Sequence, residues 1–342
     1  MYDIVTIGSV TRDNFLESEY KIIKWPKTQS GKAICLPFGE KLQVDRVFLT
    51  TGGNSANASV TLARQGFKTA CFGKVGDDLS GRELIQRLKE EGIYTAFAVS
   101  KEQPTAYSSI LLSKGERTIL GYHGASDTWA LKDIPWNILK SKWWYLSLAG
   151  ESDKFLKPLL NFAKNNKVQV AFNPSGHHLK HKQKEILSSL KSLSFLVLNE
   201  GEAANLAGIP FRKEKEVFRK LDKLTPGIVA VTDGPNGVTV SDGKYLYKAG
   251  VFKEKSIVDR TGAGDAFGSG FVAGLMRKNL RPILAGQATY DLRSVIEYAI
   301  RLASANATSV VERIGATEGV LIKSNFEKNR RWRNFEIKIN KL

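Results

Sequence analysis

The chain has 342 residues, of which 42% are hydrophobic and 25% are charged. This apolar fraction can bury a sizeable core, which excludes disorder as the main state of the chain. The most apolar runs, such as 143–149, fall far short of the roughly 20 residues that a membrane-spanning helix needs, so no membrane partner is expected. Lys and Arg outnumber Asp and Glu by 51 to 34, which gives a net charge of +17.

This positive charge is compatible with three kinds of partner: nucleic acid, an anionic surface or a phosphorylated ligand. The basic residues are scattered through the chain without zinc-finger spacing or an RNP pattern, so nucleic acid is not expected as the main partner. Two cysteines cannot form a disulfide framework, and the N-terminus opens directly into a strand pattern instead of a signal peptide. A cytoplasmic location is therefore predicted.

The N-terminal part alternates between strand and helix patterns. Strands are predicted at 4–10, 47–50 and 69–75, and helices at 54–65 and 79–91, each helix ending at a glycine. This alternation is typical of a parallel sheet whose strands are joined by helices.

Residues 95–122 depart from this rhythm. The segments 105–113 and 117–122 alternate like two strands and are separated by Lys114-Gly115-Glu116, which predicts a hairpin. Such a hairpin does not fit inside a doubly wound sheet. We therefore expect the segments 10–45 and 95–125 to form a small separate β-sheet, a lid.

Alternation resumes after the hairpin. Strands are predicted at 143–148, 168–173, 194–198, 228–232 and 237–240, and helices at 152–165, 180–191, 200–207, 213–223, 264–277 and 291–308. The predicted fold class is α/β, with a doubly wound, mostly parallel sheet flanked by helices and a small β-sheet lid. One domain is expected over 1–322. A basic, solvated extension follows at 323–342, where seven Lys and Arg against two Glu give a net charge of +5.

The most informative run is Val258-Asp259-Arg260-Thr261-Gly262-Ala263-Gly264-Asp265-Ala266-Phe267. Its glycines allow a tight turn at the start of a helix, where unpaired N–H groups and the helix dipole attract anions. Gly262, Ala263 and Gly264 are therefore predicted to bind phosphate. Asp265 follows directly, and a carboxylate beside a phosphate is unfavourable unless it accepts the proton of an attacking hydroxyl. The alternative is that Asp265 only caps the helix.

At these residues the chain resembles a known family. The run 259–267 is similar to the C-terminal signature of ribokinase-like carbohydrate and nucleoside kinases, the PfkB family. Gly52-Gly53-Asn54-Ser55-Ala56-Asn57-Ala58 is similar to the N-terminal signature. The resemblance covers the chain to about residue 322. It implies transfer of a phosphoryl group from ATP, with Mg²⁺, to a hydroxymethyl group of a sugar.

The resemblance also implies roles for single residues. Asp13, Gly53 and Asn57 match positions that contact the substrate in the family. Nucleotide contacts are implied for Asn199, Thr232, Gly234, Gly237 and, on weaker similarity, Asn306. Glu202 matches a residue that holds Mg²⁺ through water, as suits an ion that dehydrates reluctantly. Asp259 matches a position that helps bind a monovalent cation, such as K⁺, in some relatives.

The acceptor stays open between several classes. Asn54 stands where ribokinases carry Lys, and 148–150 contain no Glu where ribokinases place one against the sugar. Fructokinase-like, 2-keto-3-deoxygluconate-kinase-like and nucleoside (adenosine-like) kinase activities remain, and so does a phosphorylated acceptor held by Arg12, Lys32 or Arg117. A catalytically silent binding protein is the alternative from another class, although it would not need Asp265.

A homodimer through the lid is also expected. A small sheet exposes an apolar face unless another surface covers it, and two lids that pack on each other would do so. The candidates for the buried face are Ile22, Ile34, Leu36, Ile110 and Leu112.

Overall fold

The computed structural model describes residues 1–28, 30–148, 150–278 and 291–342. The strands are, in chain order, β1 (Tyr2–Gly8), β2 (Thr11–Glu17), β3 (Lys21–Lys24), β4 (Lys32–Cys35), β5 (Arg46–Gly52), β6 (Thr69–Phe72), β7 (Lys74–Gly76), β8 (Tyr94–Thr95), β9 (Ala98–Ser100), β10 (Ala106–Ser113), β11 (Glu116–Tyr122), β12 (Ser141–Ser147), β13 (Gln169–Phe172), β14 (Phe195–Asn199), β15 (Ile228–Thr232), β16 (Val238–Ser241), β17 (Tyr245–Ala249) and β18 (Ile337–Lys341). The helices are α1 (Asn54–Arg64), α2 (Leu79–Glu90), α3 (Leu156–Asn165), α4 (Gly176–His181), α5 (Gln183–Ser189), α6 (Glu200–Ala207), α7 (Glu214–Leu224), α8 (Ala263–Arg277), α9 (Leu292–Val311) and α10 (Lys323–Lys328).

A ten-stranded sheet forms the centre of the fold, in the order β18-β17-β16-β15-β14-β13-β12-β1-β6-β8. The strands from β15 to β8 are parallel, whereas β16, β17 and β18 run antiparallel to their neighbours. The predicted α/β class is therefore confirmed. The predicted helix at 180–191 is wrong in its extent, because α4 and α5 divide near Lys182.

Helices cover both faces of this sheet. Successive side chains of a strand point to opposite faces, so neighbouring residues pack against different helices. Trp144 packs on the face covered by α3, α6 and α7, while its neighbour Trp143 packs on the face covered by α8 and α9. Helices α8 and α9 approach so closely that a Cβ on Gly274 would lie 2.5 Å from the Cα of Ala299. The small residues of α8 thus allow this contact.

The predicted lid is present as a four-stranded sheet in the order β11-β10-β2-β5. The predicted hairpin is its β10–β11 pair, while β2 lies parallel to β10 and antiparallel to β5. Strand β5 corrects the prediction for 47–50, which assigned this segment to the alternation of the main sheet. Strands β3 and β4 form a separate two-stranded hairpin.

The C-terminal residues are not the solvated extension that their charge predicted. Trp332 is only 2% exposed and Phe326 only 3%. Strand β18 pairs with β17, and so forms one edge of the main sheet. Burial of aromatic surface and pairing of an otherwise open strand edge explain why this charged segment folds onto the core.

The lid has one apolar face turned inward and one turned outward. Ile110 and Leu112 pack with Phe15 inside the lid and are each 1% exposed, so their prediction as dimer-contact residues is wrong. The outward face carries Val47, Leu49 and Leu120, which are 53%, 56% and 59% exposed. None of the helices described is both long and apolar enough to cross a membrane.

Candidate active site

The start of α8 lies at the bottom of a cleft, and one glycine fixes the turn that leads into it. Gly262 precedes the helix with a φ of 77°, in the left-handed region. A Cβ at this position would lie 2.4 Å from the Cβ of Ala316, so both the conformation and the space favour glycine. The first turn of α8 thereby turns its N–H groups, which have no partners within the helix, toward the cleft.

Asp259 anchors this turn from below. Its Oδ1 accepts hydrogen bonds from the Thr261 N–H at 2.9 Å and the Thr261 hydroxyl at 2.7 Å. Its Oδ2 accepts one from the Gly315 N–H at 3.1 Å, in the loop after α9. Asp259 is fully buried, so these donors are needed to stabilise its charge. It therefore connects the turn before α8 to the loop that follows α9.

Asp265 is the third residue of α8 and is partly buried. The N-cap is Gly262, with no side-chain cap hydrogen bond among the described residues, so the interpretation of Asp265 as the helix cap is wrong. Instead Oδ2 of Asp265 accepts a hydrogen bond of 2.9 Å from Nδ2 of Asn57 in α1. The Oδ1 of Asn57 is buried and has no hydrogen-bond partner among the described residues. The structure thus brings together two predicted site residues that are 208 positions apart.

Asp13 lies on lid strand β2, and its charge interacts with that of Asp265. It is buried on β2 opposite Ser108 of β10 and Thr50 of β5. Gly52 approaches it so closely that a Cβ there would lie 2.0 Å from Oδ2 of Asp13. The lid sheet therefore carries the Asp13 carboxylate, while the helix layer carries Asn57.

Both carboxylates have raised pKa values. Burial raises the pKa of Asp265 to about 6, although the hydrogen bond from Asn57 opposes the shift. Burial raises the pKa of Asp13 to about 7; the Ser108 hydroxyl opposes this shift, and the charges of Asp265 and Asp259 add to it. Two carboxylates with raised pKa values, close enough for their charges to interact, are typical of a site for proton transfer and for binding of hydroxyl groups.

A cleft of about 240 Å³ adjoins the start of α8. It is lined by Thr232, Gly234 and Gly237, which are predicted to contact the nucleotide, and by Ala263 and Gly264, which are predicted to bind phosphate. Its remaining walls are Arg117, Pro235, Gly250, Val251, Glu254, Ile257, Arg260, Phe267, Ser304, Ala307, Thr308 and Val311.

Asn306 is not at this cleft, which corrects its prediction as a nucleotide contact. It is fully buried, and its Nδ2 donates to Thr61 Oγ1 and to the Ala266 carbonyl. Its Oδ1 accepts from the Leu321 N–H. The Asn306 side chain thus links α1, α8 and the segment after α9 through its hydrogen bonds. The neighbouring Ala307 and Thr308 line the cleft instead.

Asn199 and Glu202 lie beside the cleft and form a capping box. The Glu202 N–H donates to Asn199 Oδ1, and the Asn199 N–H donates to Glu202 Oε2, both at 2.9 Å. Asn199 pairs in register with Thr232, which lines the cleft. Burial raises the pKa of Glu202, and the hydrogen bonds from Asn199 oppose the shift.

Two arginines line this cleft although the sequence analysis did not assign them to it. Arg117 reaches it from lid strand β11, and Arg260 from the turn before α8. The Nε of each is buried without a hydrogen-bond partner among the described residues. Of the three cations considered for a phosphorylated acceptor, Arg117 lines this cleft, Arg12 pairs with Glu83, and Lys32 is exposed on β4.

Comparison with known families matches residues 3–323 to the pfkB family carbohydrate kinases. The chain belongs to this family. It is an ATP-dependent carbohydrate kinase, and the predicted resemblance is confirmed.

Similar proteins in this family carry several names. Ribokinase of Bacillus subtilis is 26% identical over 96% of this chain and 99% of its own length. Cytidine kinase of Thermococcus kodakarensis is 26% identical over 81% of this chain and 90% of its own length. An ATP-dependent 6-phosphofructokinase of Thermoanaerobacterium thermosaccharolyticum is 25% identical over 81% of this chain and 82% of its own length. These shares show that the likeness extends over most of each protein.

Solved structures show the same fold. Ribokinase from Giardia lamblia superposes with a TM-score of 0.79 at 22% identity, covering 96% of this chain and 98% of its own. Adenosine kinase from Sinorhizobium meliloti superposes with a TM-score of 0.75 at 20% identity, covering 96% and 99%. The ribokinase-like architecture is thus confirmed.

The buried carboxylate of Asp13 predicts a pH-dependent stability. The folded state holds its proton up to about pH 7, whereas the unfolded chain releases it near pH 3.9. Ionisation therefore destabilises the fold increasingly as the pH rises through this window. We expect Asp13→Asn to melt at a higher temperature than the wild type, by a margin that grows from pH 5 to pH 7.5 and then levels off. Calorimetry across this range measures the margin.

The matched control is Asp45→Asn, which removes an exposed carboxylate next to the lid. It should show no such growing margin. An Asp13→Asn margin that is equal at pH 5 and pH 8 would contradict the expectation.

Proposed function

We propose that this kinase phosphorylates a hydroxymethyl group of a sugar, with Asp265 as the general base. The observation that carries the proposal is the position of the Asp265 carboxylate. It lies one residue after the turn that lines the nucleotide cleft, and it is hydrogen-bonded to Asn57 on the acceptor side. A hydroxyl held between these two groups would have its proton acceptor and its phosphoryl donor on opposite sides.

The acceptor would be held by Asp13, Gly53 and Asn57. The carboxylate of Asp13 can accept hydrogen bonds from two adjacent hydroxyls, and the unpaired Oδ1 of Asn57 can accept another. Leaving a buried amide oxygen without a partner costs free energy, and a substrate hydroxyl would remove that cost. The buried polar atoms of the closed site thus suit a polyol.

The chemical step moves one proton and one phosphoryl group. The acceptor oxygen attacks the γ-phosphorus of ATP, its proton passes to a carboxylate oxygen of Asp265, and the bond to the ADP oxygen breaks. Charge that develops on the transferred phosphoryl oxygens faces the N–H groups of the first turn of α8, at Gly262, Ala263 and Gly264. A base whose pKa is about 6 is ionised at neutral pH and still accepts a proton readily.

Magnesium would neutralise charge on the β- and γ-phosphates. Mg²⁺ sites on nucleotides commonly take one or two carboxylates and fill the rest with phosphate oxygens and water. Glu202 fits such a role, because its capping-box geometry holds the carboxylate rigidly beside Asn199 and Thr232 at the edge of the cleft.

The lid hairpin contacts the phosphate-binding turn directly. Oε1 of Glu116 in β11 lies 3.7 Å from Nε of Arg260. Arg117, the next residue, lines the cleft. We assign Arg117 and Arg260 to the nucleotide phosphates, so that lid closure would bring one more positive charge to the transferred group and exclude water from it.

A nucleoside is the second candidate acceptor, favoured by the aromatic character of the lid. On the same lid face as Asp13, Phe48 of β5 is partly buried and pairs with Phe15 of β2, which is fully buried inside the lid. Of these two rings, Phe48 is the one that a base can reach. The cytidine kinase and adenosine kinases among the relatives agree with this possibility.

Replacing the base tests the mechanism. We expect Asp265→Asn to lower kcat by about 10³-fold, because the amide cannot accept the proton and orients the hydroxyl less well. ATP should bind with nearly unchanged affinity, since the phosphate-binding turn is intact. Steady-state kinetics and calorimetric titration with ATP measure the two quantities.

Asp77→Asn, at an exposed carboxylate paired with Arg82, is the control. More than a tenth of wild-type turnover in Asp265→Asn would show that this residue is not the base.

The acceptor class is tested by turnover. ADP release is measured with ribose, fructose, fructose 6-phosphate, 2-keto-3-deoxygluconate, cytidine and adenosine, with and without Mg²⁺. We expect the highest kcat/KM for a sugar with a free hydroxymethyl group, and none without Mg²⁺. A preference for either nucleoside would replace the sugar proposal by the nucleoside one.

Repeating the best reaction in K⁺ and in Na⁺ tests whether Asp259 supports a monovalent-cation site.

The outer face of the lid suggests how two copies of the chain would meet. Val47, Leu49 and Leu120 are more than half exposed on that face, and a second lid would bury them. We expect light scattering to report a dimer, and Leu49→Glu to convert it to the monomer of 37.8 kDa. A wild-type mass near 37.8 kDa that does not change with concentration would refute the lid-to-lid dimer.

A further inference from the structure

One wall of the nucleotide cleft is an irregular segment that the C-terminal residues hold in place. This wall segment, 250–257, follows β17, contains neither helix nor strand, and leads to the phosphate-binding turn. Gly250, Val251, Glu254 and Ile257 line the cleft. Because a segment without a strand ladder is not held by its own backbone pairing, its position depends on the contacts made on its other side.

Two ionic side chains hold the backbone of the wall segment. Oε1 of Glu312, just after α9, accepts a hydrogen bond of 2.7 Å from the Lys255 N–H. Arg331 donates from Nη1 to Oε2 of Glu312 at 3.0 Å and from Nη2 to the Lys253 carbonyl at 2.7 Å. Arg331 therefore joins the wall segment to the end of α9 through one guanidinium group.

This ion pair is well shielded from water. The side chain of Arg331 is 21% exposed and that of Glu312 is 12% exposed. Burial alone would raise the pKa of Glu312, but the hydrogen bonds from Arg331 and Lys255 lower it below its ordinary value. A bidentate, shielded pair of this kind holds its geometry better than a surface ion pair does.

Aromatic packing holds the same segment from behind. Phe252 is 6% exposed. It stacks on Phe335 with ring centroids 4.2 Å apart and meets Trp332 edge-on at 5.1 Å. Strand β18 then pairs Ile337 with Ala249, the last residue before the wall segment. The C-terminal segment thus touches the wall segment at its start and along its middle.

The match to the family ends at residue 323, so Arg331, Trp332 and Phe335 lie beyond the matched residues. We propose that Arg331 is a positioning residue for ATP: by fixing Glu312 and the Lys253 carbonyl, it keeps the wall segment in the conformation that binds the nucleotide. The C-terminal segment then sets affinity for ATP without touching the acceptor. This inference rests on the proposed place of the nucleotide in the 240 Å³ cleft.

The test compares two neighbouring arginines. Arg331→Gln removes the guanidinium group, while Arg330→Gln makes the same charge change at an exposed position of the same turn. We expect Arg331→Gln to raise both the Kd and the KM for ATP by roughly tenfold, because only the fraction of molecules with an ordered wall segment binds. The KM for the acceptor and kcat should stay within about twofold of the wild type. Arg330→Gln should match the wild type throughout.

Hydrogen exchange gives a readout that does not depend on turnover. In Arg331→Gln the amide of Lys255 should exchange about tenfold faster or more than in the wild type, since its acceptor Glu312 is no longer held. Glu312→Gln should raise the Kd for ATP in the same direction, and the double variant should cost less than the two single changes combined. This second variant keeps the test valid if Arg331→Gln does not fold.

The outcomes separate the two proposals. An unchanged Kd for ATP in both variants would overturn the positioning role, and so would an equal rise in the KM values of ATP and acceptor. If ATP does not slow exchange over 250–257 in the wild type, the nucleotide is not in this cleft, and the proposed nucleotide site fails before Arg331 is considered.

Discussion

In the proposed function, the first turn of α8 must offer positive charge to phosphate and a negative carboxylate to the acceptor within three residues. These demands conflict, because a carboxylate repels the phosphate that the turn attracts. The structure separates them by direction. The turn at Gly262 faces the nucleotide cleft, while Asp265 faces Asn57. Burial raises the pKa of Asp265 to about 6, which makes it a better proton acceptor than an exposed aspartate. The rest of the site serves to maintain this arrangement.

The lid takes part in this arrangement because its strands lead directly into the site. Strand β5 belongs to the lid and ends at Gly52, after which α1 begins and carries Asn57. Strand β2 carries Asp13 within 2.0 Å of where a Cβ on Gly52 would lie. Any movement of the lid therefore moves the Asp13 carboxylate relative to Asn57 and Asp265. In the proposed function, closure of the lid would also assemble the acceptor site.

The sequence predicted best where local pattern and tertiary context agree. The strand at 228–232 and the helix at 200–207 were predicted with their observed bounds, because each is a short apolar or capped run between clear breakers. The pairing of Asn57 with Asp265 could be expected only from the family resemblance, since nothing local links residues 208 positions apart. Arg117 and Arg260 were missed for the nucleotide because a single arginine has no pattern that shows where it points.

The C-terminal segment shows the opposite case. Its net charge of +5 predicted a solvated extension, yet the sequence Ile337-Lys338-Ile339 alternates as a half-buried edge strand does. Charge counted along the chain ignores partners from elsewhere in the fold. Arg331 forms an ion pair with Glu312, and Glu327 forms one with Arg277. The prediction of Asn306 as a nucleotide contact was wrong for a related reason. Helix α9 is 20 residues long, and neighbouring side chains on a helix point about 100° apart, so Ala307 and Thr308 line the cleft while Asn306 does not.

The proposed function also suggests how one family accommodates different acceptors. Phosphoryl transfer makes the same demands whatever hydroxyl attacks, and in the proposed function those demands are met by the turn at Gly262 and by Asp265. The shape of the acceptor would instead be recognised on the inner lid face, where Thr50 and the partly buried Phe48 lie on the same face as Asp13. These side chains belong to lid strands, so they can be substituted without changing a residue of α8. Relatives named ribokinase, cytidine kinase and 6-phosphofructokinase at 25% to 26% identity agree with such a division. In the proposed function, the choice of acceptor therefore depends mainly on β2, β5 and β10, and the transfer step depends on α8.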